Sequence, residues 1–170
     1  MAITYKKIAS VTVGAGGAAT IDFTSIPATY TDLILHLSNR SNRSGANIDE
    51  IYVRLNGNTS NFNNIYIQGN GSAASSGAGS YAIWAGYCPA ATATASTFSN
   101  TMIYIPNYTV SQSKSISIDG AQEDNATAAY LTMHAVLWNV NDAISSVTID
   151  PLHGNFVQYT TATLYGILKA

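Results

Sequence analysis

The chain has 170 residues, of which 46% are apolar and only 9% charged, with a net charge of −2. This is enough for one domain burying roughly 70% of the surface of its unfolded chain, and the apolar content excludes intrinsic disorder. The charge balance, without any Lys/Arg run, gives no electrostatic case for nucleic acid, and the single Cys88 excludes an intrachain disulfide.

The deficit of charge is the anomaly, since an average globular protein carries about 25% Asp, Glu, Lys and Arg. It fits an all-β chain, because strands disfavour Lys and Glu. It equally fits a surface given over to contacts with copies or partners, because uncharged faces cost little to desolvate.

Residues 5–13, 18–23 and 31–39 read as the first three strands. Ala9, Val11 and Val13 alternate with polar residues, as do Ala19, Ile21 and Phe23, and then Leu33, Leu35 and Leu37. Gly14-Ala15-Gly16-Gly17 reads as a turn, and because strand pattern follows it, it is no phosphate cradle. A fourth strand over 49–56 sets Ile51, Val53 and Leu55 on one face and Tyr52 and Arg54 on the other. Asn56-Gly57 is a turn signal, and a short strand follows at 65–67.

The Gly/Ser/Ala-rich residues 69–80 read as an exposed flexible loop, and 81–87 as a strand carrying Ile83 and Trp84. Alternating Ala and Thr over 90–97 suggests an edge strand or an intersubunit face. Residues 102–105 form a strand stopped by Pro106, and Ile116 and Ile118 belong to the next. Leu131, Met133, Ala135 and Leu137 alternate with Thr132, His134 and Trp138 in the longest strand of this half. Residues 144–150 and 157–168 close the chain.

No apolar run keeps helical spacing over three turns, so no substantial helix is expected. No run approaches the ~20 residues of a membrane-spanning helix either. About ten short strands at 8–12-residue spacing point to a single antiparallel β-sandwich of jelly-roll type over residues 1–170.

Catalytic chemistry finds little support. His36, His134 and His153 lie far apart with no zinc spacing, and one cysteine rules out a thiolate site. There is no Gly-x-Ser-x-Gly elbow. Most of the nine carboxylates sit in expected turns or strand ends, where Asp caps structure, rather than in pairs suited to glycoside hydrolysis. Asp119, Glu123, Asp124 and Asn125 lack the ordered spacing of a calcium loop and read as an acidic turn. The sequence therefore assigns no catalytic, cofactor or metal residue, and the chain is expected not to be an enzyme.

Aromatic residues are the open feature. Tyr81, Trp84 and Tyr87 cluster beside the Gly/Ser loop, and Tyr66 precedes it. Such rings suit stacking on the apolar C–H faces of sugars, which makes Tyr66, Tyr81, Trp84 and Tyr87 candidate glycan or partner contacts. They equally suit the sandwich core and intersubunit faces.

One stretch resembles a known family. The strand ending in Val11-Thr12-Val13-Gly14, then Ile21-Asp22-Phe23, Ser25-Ile26-Pro27 and Tyr30-Thr31-Asp32-Leu33, is similar to a small β-domain of tailed-bacteriophage virion structural proteins. Arg54-Leu55-Asn56-Gly57, the loop over 69–79 and Leu164-Tyr165-Gly166 add to the likeness; residues 81–156 do not match it. The resemblance implies a β-sandwich displayed on a particle, typically trimeric, and carries over no catalytic residue. One compact domain leaves no room for a fibre shaft, so the expected function is a capsid decoration or cement protein. It would assemble as a homo-oligomer on the major capsid protein or other virion proteins, with the Met1–Lys7 terminus as one candidate grip. The alternative is the receptor-binding tip of a tail or head fibre, facing a host surface glycan. That terminus lacks an apolar signal core, which places synthesis in the host cytoplasm and the mature protein on the virion surface, with neither nucleic acid nor membrane as partner.

Overall fold

A computed structural model describes residues 4–80, 82–125 and 129–168. The alternating runs form twelve strands: β1 (Thr4–Thr12), β2 (Ile21–Phe23), β3 (Asp32–Asn39), β4 (Ile48–Leu55), β5 (Phe62–Gly69), β6 (Ala74–Gly79), β7 (Ile83–Pro89), β8 (Ser99–Ile105), β9 (Lys114–Gln122), β10 (Tyr130–Trp138), β11 (Val147–Pro151) and β12 (Thr161–Leu168). Among the described residues there is no helix, and hence none long and apolar enough to cross a membrane. The strands pair antiparallel in an eight-stranded sheet, β1-β12-β3-β8-β9-β10-β5-β6, and a four-stranded sheet, β2-β11-β4-β7.

Eight of these strands trace a jelly roll. The chain alternates between β1-β12-β3-β8 in the large sheet and β2-β11-β4-β7 in the small one, the double Greek-key order of that fold. The other four are two hairpins inserted into it. β5–β6 lies between β4 and β7 in sequence, and β9–β10 between β8 and β11. They join through β5 and β10 and widen the large sheet by four strands beyond β8. These insertions account for twelve strands where about ten are expected.

Inward-facing residues of both sheets make one apolar cluster, including Leu33, Leu35 and Leu37 of β3, Ile51, Val53 and Leu55 of β4, Ile103, Ile116, Ile149 and Leu164. Each such side chain contributes about 1.5–3 kcal/mol on burial. Where rings cross the sheet, glycine makes room. The ring of Tyr30 lies on Gly166, so closely that any Cβ there would overlap it. Fully buried Tyr108 donates its hydroxyl hydrogen to the Pro27 carbonyl next to that contact.

Several expectations are corrected. Residues 69–80 are not a simple flexible loop: Asn70 Oδ1 accepts from the amides of Ser72 and Ala73 at 3.0 and 2.9 Å, folding a tight turn that returns the chain as β6 along β5. Residues 90–97 form turns, not an edge strand. They wrap the Arg40 guanidinium, which donates to the carbonyls of Ala90, Ala93, Thr94 and Thr97 at 2.7–3.2 Å. Tyr159 sits in a turn before β12, exposed and at φ +72°. Residues 4–7 of the supposed grip are paired with β12 in β1, while Met1 to Ile3 lie outside the described residues.

Alternation alone leaves open which row of β10 is buried. Its buried row is Thr132, His134, Val136 and Trp138, and its apolar row, Leu131, Met133, Ala135 and Leu137, faces solvent. Trp138 is fully buried against Phe62 and capped by the Lys114 ammonium, so it belongs to the core. Thr132 is set by space, since its Oγ1 sits between Gly86 of β7 and Gly120 of β9 where a Cβ at either would come within 2.7 Å.

Candidate functional site

The small sheet covers only part of the widened large sheet. Its edge strand β7 packs over β8, β9 and β10 and barely reaches β5, leaving a cleft between the edge of β7 and the inner face of β5–β6. The cleft is a cavity of about 210 Å³ lined by Glu50, Tyr52, Asn64, Tyr66, Trp84 and Tyr87, with Ala78, Gly79 and Ala82 at its margin.

A register shift builds its β4–β7 wall. Glu50 pairs with Tyr87 and Tyr52 with Trp84, so two steps along β4 match three along β7. The extra residue forms a bulge containing Gly86 at φ +88°, a conformation L side chains rarely adopt. Residues three apart in a regular strand point to opposite faces. The bulge instead turns Trp84 and Tyr87 to the same side, with ring centroids 5.1 Å apart at 76°.

The opposite wall comes from β5 and β10. Tyr66 stands edge-to-face with Trp84, 4.7 Å between centroids at 82°, and His134 packs on both rings. Tyr66 can lie inward because its cross-strand neighbour on β6 is Gly77, where a Cβ would come within 2.5 Å of the Tyr66 hydroxyl. Tyr130 extends the cluster by packing on Tyr87 at 4.5 Å.

The chemistry of the lining is one-sided. Tyr52 donates its hydroxyl hydrogen to Glu50 Oε2 at 3.0 Å, and Glu50 is the one acidic side chain among the cleft's lining residues. Burial, and then the nearby Glu50 carboxylate, push the phenols of Tyr52 and Tyr87 up to about 12, keeping them neutral. Burial lowers His134 to about 4, so it too is neutral at pH 7. Among the described residues, Asn64 Oδ1, Trp84 Nε1 and both His134 nitrogens have no hydrogen-bond partner. No group of three or more His, Cys, Asp or Glu side chains converges among the described residues.

The structure therefore brings Tyr66, Trp84 and Tyr87 into one cluster, while Tyr81 lies outside the described residues. Sequence reasoning missed Glu50, Tyr52, Asn64 and His134. The outward position of Tyr52 on its strand is visible from alternation, but the β4–β7 register that sets it beside Trp84 is not.

A second feature lies on the outer face of the same hairpins. Ile65 and Ile67 of β5 and Leu131, Met133 and Leu137 of β10 are all exposed, Leu131 by 64% and Ile65 by 63%. They adjoin across the ladder, Met133 opposite Ile67 and Ala135 opposite Ile65. An apolar depression of about 640 Å³ lies among Ile65, Ile67, Met133 and Ala135 and extends to Ser76 and Ala78 of β6. The outward residues of β5, β6 and β10 include no charge.

The two edges of the large sheet differ. β1 carries Lys6 and Lys7 and a register shift between Lys7 and Ala9, devices that blunt an edge against pairing. β6, Ala-Ser-Ser-Gly-Ala-Gly, has neither charge nor proline.

No protein-family model matches the chain, and no curated protein and no solved structure matches it either.

Proposed function

We propose that the chain is a virion structural protein of a tailed bacteriophage, a capsid decoration protein that coats the head as a homo-oligomer, a trimer, seated on the major capsid protein. The observation that carries this reading is the uncharged apolar outer face of β5, β6 and β10. Contiguous exposed apolar patches mark interaction sites, and an unguarded edge strand beside one offers backbone for pairing. Around a threefold axis each contact is heterologous, so one part of this surface meets a different part on the next copy.

The resemblance of the Ile21-Asp22-Phe23, Ser25-Ile26-Pro27 and Tyr30-Thr31-Asp32-Leu33 motifs supplies the particle on which this assembly sits. In this reading the role is structural, without catalysis, membrane or nucleic acid. Gold-labelled antibody on intact parent virions tests the assignment: label over the head supports decoration, and label confined to the tail contradicts it.

The aromatic cleft favours a second reading, the receptor-binding tip of a fibre. Tyr66, Trp84 and Tyr87 would then contact a host surface glycan, and label at fibre tips is its expected result.

A further inference from the structure

We propose that the β4–β7/β5 cleft binds a small organic ammonium cation, its positive nitrogen enclosed by Tyr52, Tyr66, Trp84 and Tyr87 and set against the Glu50 carboxylate. This deepens the glycan-contact reading of the same cleft by naming the chemical group held there. It rests on that reading only for the location of the site.

Three observations carry it. The first is shape: Trp84 stands nearly perpendicular to both Tyr66 and Tyr87, at 82° and 76° with centroids 4.7 and 5.1 Å away, so the rings form the walls of a box. The negative faces of Trp and Tyr rings attract cations, and cages of such rings recognise quaternary ammonium groups. The second is size, because about 210 Å³ lies below the roughly 300–1,000 Å³ of drug-sized pockets and suits one headgroup.

The third is charge. No Lys or Arg lines the cleft, and among the described residues none pairs with Glu50. Asn64, only 5% exposed, adds a side-chain oxygen that has no donor among the described residues. A carboxylate, an amide side chain and four aromatic rings line the cleft, a set that favours a cation over an anion. Acidic sugars are therefore poor ligands here. Choline and an amino sugar each carry a positive nitrogen of this kind.

The test titrates the full chain with choline at constant ionic strength, followed by tryptophan fluorescence and calorimetry; Trp138 is buried, so the ligand-dependent change in emission reports Trp84. Choline is expected to bind saturably. Its neutral isostere, with carbon replacing nitrogen, should bind at least roughly tenfold more weakly. Glu50→Gln should weaken choline by about tenfold and leave the isostere unaffected, and Tyr87→Ala should weaken choline in a chain whose circular dichroism is unchanged. Glucosamine and glucose form the second arm. Glucosamine tighter than both choline and glucose assigns a primary ammonium on a sugar, and choline tighter than glucosamine assigns a quaternary one.

Equal binding of choline and its isostere, or Glu50→Gln without effect, overturns the proposal. Glucose binding as tightly as glucosamine, with choline inert, overturns it while leaving the glycan-contact reading standing. Absence of binding by all four probes overturns both.

Discussion

The ring of Tyr66 rests on the backbone of Gly77, its cross-strand partner, with no room for even a methyl group between them. That contact joins the inserted β5–β6 hairpin to the cleft, because it lets Tyr66 turn inward to meet Trp84 at 4.7 Å. Gly77→Ala is therefore expected to displace the Tyr66 ring and open the cleft while the jelly-roll strands persist. The cost should be about 1–3 kcal/mol, as for other overpacked sites. Near-ultraviolet circular dichroism should change, far-ultraviolet should not, and a urea titration gives the cost.

Thr132 permits a finer comparison. Gly86 and Gly120 both crowd its Oγ1, but only Gly86 has a positive φ, +88°. Gly120→Ala should be destabilising in the native sequence and largely rescued in a Thr132→Ala background, where the obstructing oxygen is gone. Gly86→Ala should stay destabilising in both backgrounds, because its backbone strain remains. The double-mutant cycles separate crowding from strain.

How much of this was legible beforehand follows from which interactions are local. Alternation placed the Leu33, Leu35, Leu37 and Ile51, Val53, Leu55 rows in the core, because period-two burial is written along one strand. It did not decide β10, where Thr132, His134 and Trp138 face inward and Leu131, Met133 and Leu137 outward. The orientation there is decided by the space between Gly86 and Gly120 and by the Phe62 surface, all distant in sequence. The strand β6 was hidden by its composition, since Ala, Ser and Gly carry turn signals and its pairing comes from β5. Among the cleft residues, Trp84 and Tyr87 were visible as aromatics near one another in sequence. Glu50 and Tyr52 join them only through the bulged register of β4 and β7.

His134 should make stability depend on pH. Folded, burial holds its pKa at about 4, against 6.5 for the unfolded chain. The unfolded state therefore binds a proton between pH 6.5 and 4 that the folded state refuses. Stability is full above pH 6.5 and falls as the pH drops towards 4, by up to about 3 kcal/mol from this group. Chemical denaturation from pH 7 to 4 checks this, with His134→Gln expected to flatten that part of the profile.

Arg40 should hold the 90–97 turns. Its guanidinium donates to four carbonyls and to Thr97 Oγ1. Arg40→Ala is expected to cost about 2 kcal/mol and expose this segment to proteolysis. Arg40→Lys should rescue little, because an ammonium cannot span the same acceptors with a planar fork. Limited proteolysis with mapping of the cut site distinguishes the variants.

The uncharged apolar outer face of β5, β6 and β10 should be buried between copies in the assembly. Multi-angle light scattering at micromolar concentration, on the native chain and on an Ile67→Lys/Leu131→Lys variant, measures whether that face is buried between copies. The native protein is expected to show a mass of about three chains and the variant that of one chain, with unchanged far-ultraviolet circular dichroism. A native chain that stays monomeric, or a variant that keeps the oligomeric mass, would contradict this expectation.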